Sequence, residues 1–143
     1  MSDLCAPTVD VWRTRLPKGE YFIGDPCYCF EYDTWMRLLV ETNYLQGAQV
    51  PLFKNNDEER HLVAFDTAYG DGVYEDEDGN EYPVDSGMLG AVPVELIDAD
   101  KLKSLRDRAS MGRFIDYRTE FTCVHNRGNM RFGNWIKIDT VSE

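Results

Sequence analysis

Residues 61–93 read HLVAFDTAYGDGVYEDEDGNEYPVDSGMLGAVP, and the order of apolar runs and turn residues in them decides the fold class. The apolar run 62–65 leads into a Gly70-Asp71-Gly72 turn. A second turn falls at Asp78-Gly79-Asn80, and a small-residue corner follows at Asp85-Ser86-Gly87. Glycine, asparagine and aspartate supply the backbone freedom and local hydrogen bonds that tight turns need, so short strands joined by hairpins are expected. Residues 88–97 are apolar but contain Gly90 and Pro93, which suits a strand that bends better than a helix.

Upstream, VDVWRTR (9–15) alternates apolar and polar residues and predicts a strand, closed by a Pro17-Lys18-Gly19 turn. A second strand over 20–23 meets Gly24-Asp25-Pro26. The proline removes a ladder donor and holds Asp25 extended, so the strand must bend there or end at a sheet edge. Trp35, Leu38, Leu39, Thr42 and Leu45 then fall at helical spacing, with Asp33 as N-cap and Gly47 as C-cap, and predict a helix over 33–46. Residues 48–54 return to strand character, and NNDEER (55–60) reads as a polar hairpin loop.

Downstream, DADKLKSLRDRASM (98–111) places Leu102 and Leu105 on one face of a short amphipathic helix. Residues 113–125 and 130–140 predict a long antiparallel hairpin about Asn126-Arg127-Gly128-Asn129, with Phe132, Trp135, Ile136 and Ile138 supplying core side chains. The expected fold is a single α+β domain over residues 1–143. Its sheet is mainly antiparallel, or an open barrel, and carries two short amphipathic helices.

The 143-residue chain is 43% hydrophobic and 13% aromatic, enough for one sizeable core. It has no apolar run of the roughly 20 residues that span a bilayer, and MSDLCAPTVDVW lacks the basic-then-apolar pattern of a secretory signal, so a cytoplasmic protein without membrane attachment is expected. Cys5, Cys27, Cys29 and Cys123 are then expected as thiols rather than a disulfide framework.

Charge is unevenly spread. Segment 55–100 holds fourteen acids against the single base Arg60, while the remainder of this chain of net charge −11 is slightly basic. Such a surface repels nucleic acid and anionic membranes over its centre and attracts basic proteins or cations. The expected acidic binding face is Glu75, Asp76, Glu77, Asp78 and Glu81.

Three groups of residues could carry chemistry. The turn carboxylates Asp25, Asp66, Asp71 and Asp85, if they converge, would bind a divalent cation or a ligand, or act as an acid and base. Alternatively they hydrogen-bond their own turns. Cys27 and Cys29 on one extended segment, with Cys123 and His125 on another, could offer zinc three sulfurs and a nitrogen, although the Cys-x-Cys spacing is unusual for zinc. Arg113, Arg118, Arg127 and Arg131, with Arg106 and Arg108, are candidates for holding an anion beside Tyr117 or Trp135. Residues 76–87 do not make a calcium loop, because the sixth position is Glu81 and the twelfth Gly87. No cofactor fingerprint appears, so no cofactor is assigned.

Taken together, LPKGEYFIGDPCY (16–28), the helix bearing Trp35, residues 63–93 and FGNWIKIDT (132–140) resemble a group of short phage and bacterial proteins that share a GDPCY turn, a TAYGDGxY turn and a VDxGxxG corner. A more distant similarity is to a domain with an early DP turn and a late VDAG corner. The resemblance covers about two thirds of the chain. It implies a shared fold and a phage or bacterial setting, and it carries no activity. On these grounds the chain is expected to be a small acidic accessory protein that binds a host or defence protein with a basic surface, or a small ligand, without contacting nucleic acid directly. A metal-assisted hydrolase built on the turn carboxylates, and a small virion or assembly component, are the alternatives.

Overall fold

Strand β7 (Met88–Pro93) is buried along its whole length, so it must be covered on both faces. A strand in that position reads as a continuous apolar run rather than an alternating one, which is how 88–93 reads. The structure, a computed structural model, describes residues 11–42, 50–54, 58–107 and 111–141. In chain order these form β1 (Val11–Leu16), β2 (Gly19–Gly24), a 3-10 turn (Pro26–Cys29), α1 (Tyr32–Thr42), β3 (Val50–Lys54), β4 (Glu58–Asp66), β5 (Gly72–Glu75), β6 (Glu81–Val84) and β7. A second 3-10 turn (Val94–Leu96), α2 (Ala99–Asp107), β8 (Gly112–Tyr117), β9 (Phe121–Asn126), β10 (Asn129–Phe132) and β11 (Ile136–Asp139) complete them.

The strands make a five-stranded sheet ordered β3-β4-β7-β2-β8, a four-stranded sheet ordered β1-β9-β10-β11, and the β5-β6 hairpin. Among the described residues every strand pairing is antiparallel, and no barrel closes. The fold is therefore α+β with a mainly antiparallel sheet. Successive side chains of a strand point to opposite faces, and the central sheet uses both. Tyr21, Ile23, Val63, Phe65, Leu89 and Ala91 pack toward the four-stranded sheet, against Phe121, Cys123, Met130, Phe132, Ile136 and Ile138. Phe22, Leu62, Ala64, Met88 and Val92 pack the other way, against Trp35 and Leu38 of α1, Leu105 of α2 and the two 3-10 turns. Each fully buried large apolar side chain in these two cores contributes about 1.5–3 kcal/mol. Gly90 belongs at the crossing of β7 and β4, because a Cβ there would collide with the Val63 carbonyl oxygen.

Several elements differ from their sequence-based expectation. Residues 113–125 are not one arm of a long hairpin. β8 pairs with β2 in the central sheet, whereas β9 pairs with β1 and β10 in the other, and the chain changes sheets at 118–120. β2 ends at Gly24, as the following proline requires, but it lies between β7 and β8 rather than at an edge. Residues 58–60 belong to β4 rather than to a loop. Trp135 is 67% exposed instead of buried. Leu45, Gly47, Asn55, Asn56, Asp57 and Arg108 lie outside the described residues, as does Cys5.

Candidate functional site

The three turn motifs meet in space. Asp25 directly follows β2, and its fully buried carboxylate accepts four hydrogen bonds, one from the Cys27 amide at 2.9 Å. The other three come from the Asp85 amide at 2.7 Å, the Ser86 amide at 2.8 Å and the Ser86 hydroxyl at 2.7 Å. The Cys27 bond makes Asp25 the N-cap of the 3-10 turn, and the others fasten that turn to a corner sixty residues away. Tyr28 adds a fourth bond across the same junction, donating its hydroxyl to Asp85 at 2.8 Å. The Thr67 amide donates to the Gly87 carbonyl, and the Thr67 and Tyr74 hydroxyls both donate to the Gly70 carbonyl, so the Gly70-Asp71-Gly72 turn closes against the same corner. Hydrogen bonds that a charged group accepts are the stronger kind, and a buried carboxylate satisfied by four donors orders everything that donates to it.

The four turn carboxylates divide. Asp25 is consumed by the junction. Asp85 and Asp71 are exposed, and both lie close enough to Cys27 to raise the pKa of its thiol, which burial and Asp25 already push up. Asp66 looks elsewhere: partial burial holds its carboxyl above the usual range, and nearby His125 offsets only part of that rise. Among the described residues, no three His, Cys, Asp or Glu side chains converge in a way that could hold a metal ion.

The thiol and imidazole set does not assemble. Cys27 and Cys29 sit in a 3-10 turn rather than on an extended segment, and they pack in the helix-side core. Cys123 packs between the two sheets, on the opposite side of the central sheet, so the tetrahedral arrangement is ruled out by the layer between its halves. Burial raises the pKa of the Cys29 and Cys123 thiols, which makes both poor nucleophiles and poor ligands. His125 stacks on Phe65 at 5.1 Å, and its Nε2 accepts from the Gly128 amide in its own hairpin turn.

The acidic face needs one correction: Asp76 is not on it. Its carboxylate is buried and accepts the amides of Asp78 at 2.9 Å and Asn80 at 3.0 Å, the Asn80 side-chain amide, and the Tyr82 hydroxyl at 2.6 Å. Arg113 stands 3.8 Å away. Burial raises the Asp76 carboxyl, but these donors outweigh it and hold the group below the usual carboxylate range. Burial, and then the hydrogen bond to Asp76, raise the Tyr82 phenol. Glu75, Glu77, Asp78 and Glu81 are all exposed around this buried anchor, and none has an ion-pair partner among the described residues. A bridge from Asp76 to Ile138 sets the hairpin against the β11 edge of the four-stranded sheet.

The arginines converge only in part: Arg118 and Arg131 line one open hollow with Tyr117 and Trp135, and the others lie elsewhere. Arg113 is taken by Asp76, and Arg118 pairs with Asp116 at 3.4 Å. Arg106 makes two bonds to Glu20 and lies 4.4 Å over the Phe114 ring. Arg127 occupies the tip of the β9-β10 turn in left-handed backbone, φ 53°. Arg131 lies on the outer face of the four-stranded sheet and also borders an open hollow of about 480 Å³ shared with Lys137, Glu75, Glu77 and Asp139.

Two features of the site's geometry escaped the sequence. The role of Asp76 was hidden because one carboxylate among five neighbours gives no sign of which is buried, although the Asp-x-Asp-Gly-Asn spacing of an Asx-type turn was present. The alignment of Arg131 with Lys137 was hidden because it depends on strand register. No family model, no curated protein and no solved structure matches the chain. Among the described residues, no helix is long and apolar enough to cross a membrane.

Proposed function

We propose that this chain is a small accessory protein of the phage type that acts by binding, and that it presents the β5-β6 hairpin to a basic surface on a partner protein. One observation carries the reading: four exposed carboxylates, Glu75, Glu77, Asp78 and Glu81, project from a hairpin whose tip is locked from inside by the buried Asp76. A floppy acidic loop loses conformational entropy when it docks, whereas a preorganised one has already lost it on folding. Unpaired surface carboxylates held in fixed positions speed encounter with a cationic partner and set the register of docking. The phage-type setting rests on the resemblance of the GDPCY, TAYGDGxY and VDxGxxG stretches.

An arginine-rich peptide is a suitable probe, with affinity followed by fluorescence anisotropy across a salt series. The expected result is an affinity that falls steeply with salt and is lost in the E75Q/E77Q/D78N/E81Q variant. It is kept in D100N/D107N/D116N/E120Q, which removes the same charge from exposed positions elsewhere. Equal loss in both variants would mean that only net charge matters and would overturn the hairpin assignment, as would binding insensitive to salt.

A further inference from the structure

The four-stranded sheet carries charge of the opposite sign to the rest of the molecule. Residues 11–16 and 121–139, which make this sheet and its turns, contain Arg13, Arg15, Arg127, Arg131 and Lys137 against the single acid Asp139. Its inner face is the core, with Leu16, Phe121, Cys123, Met130, Phe132, Ile136 and Ile138 buried. Its outer face is set by register. Arg13 is paired with Val124, Val124 with Arg131, and Arg131 with Lys137, so three cations and one half-buried valine form a single row across all four strands. With neighbouring strands about 4.8 Å apart, the row spans roughly 14 Å. Arg13, Arg131 and Lys137 are exposed, and the ion pairs among the described residues involve none of them.

Beside this row lies the exposed Trp135, in the turn between β10 and β11. It shares a second hollow of about 430 Å³ with Arg118, Arg131, Thr122 and Asn134, in which Asp116 and Glu120 are the acids. Asp116 is paired with Arg118, and Glu120 with Arg15. A large ring left in water next to a row of cations with no ion pair among the described residues is the pairing that single-stranded nucleic acid uses: cations follow the phosphates, and an aromatic face stacks a base.

We infer that the outer face of the four-stranded sheet binds single-stranded nucleic acid, with phosphates on Arg13, Arg131 and Lys137 and a base on Trp135. This runs against the expectation drawn from net charge, because a net charge averages over two faces that the fold keeps apart. Glu75, Glu77 and Asp139 line the hollow beside Arg131 and Lys137 and repel the polymer at the β11 edge, so the strand is directed away from the hairpin.

The test is anisotropy with a labelled single-stranded oligonucleotide of about 20 nucleotides, alongside the same length of duplex and a labelled poly-glutamate peptide. Expected are an affinity of about 10 µM at low salt, and a slope of log K on log salt near −2, about −0.7 for each of three phosphate contacts. Quenching of Trp135 emission should accompany binding. R131E/K137E should weaken binding at least about tenfold, and W135A should weaken it and remove the quenching. K101E/K103E on α2 makes the same charge change in the other layer and should leave binding intact. No binding at low salt, or equal weakening by K101E/K103E, would overturn the site. Equal binding of poly-glutamate would replace it with an acidic protein partner, and an unchanged affinity in W135A would remove the stacked base.

Discussion

Asp25 is the residue on which the motif junction depends, and its substitution separates a structural carboxylate from a ligand-binding one. Replacing it with asparagine keeps the shape but turns an amide nitrogen toward donors that need an acceptor, the Asp85 and Ser86 amides or the Cys27 amide. A buried donor left without a partner costs about 1–3 kcal/mol, so D25N should lower stability by about 2–4 kcal/mol in urea denaturation. S86A deletes one donor and leaves the carboxylate three others, and should cost only about 0.5–1.5 kcal/mol. A D25N protein within about 0.5 kcal/mol of the parent would show that the junction is not held by this carboxylate. The sequence announced half of this. An aspartate before proline at the end of a strand was legible as a turn-former, and so was the Asp85-Ser86-Gly87 corner. That one grips the other depends on β2 and β7 lying side by side, which no local pattern encodes.

At the scale of elements, the β5-β6 hairpin is organised by Asp76 in the way the junction is by Asp25, and its anchor titrates. The donors around Asp76 hold its pKa below the unfolded value, near 3.9. Its stabilising contribution is therefore fully present above the unfolded pKa and is lost as pH falls through the folded one. D76N lacks that titration. The parent should exceed D76N by about 1.5–3 kcal/mol at neutral pH, and the gap should shrink progressively as pH falls below the unfolded value and on through the folded one. A gap unchanged down to about pH 3 would contradict the assignment. The hairpin itself was readable from Asp78-Gly79-Asn80, as was the β9-β10 turn from Asn126-Arg127-Gly128-Asn129, because turn chemistry is local. The partners of β8 were not. Residues 113–117 have the half-buried pattern of any strand, and a period of two does not say which sheet a strand will join.

For the whole molecule, the arrangement is a separation of charge: acids on one hairpin, a cation row on the sheet beside it, and a net charge of −11 over the full chain. Composition showed the net charge and even its concentration in 55–100, but not that the bases left over would line up on one surface. Like charges on a folded protein repel one another more than in the expanded unfolded chain, so a surplus of this size opposes compaction. The opposition is long-ranged at about 0.01 M salt, where the screening length is about 30 Å, and largely gone at 1 M, where it is about 3 Å. The parent protein should therefore gain a few degrees in Tm across that range. The E75Q/E77Q/D78N/E81Q variant should start higher at low salt and gain less, because the densest repulsion has been removed. Asp76 stays in place in that variant, so the hairpin keeps its anchor and the comparison isolates exposed charge. A variant that melts lower than the parent at low salt would mean that the four carboxylates support the fold. A variant that melts higher shows that they oppose it, which is what a surface kept for a partner, rather than for packing, predicts.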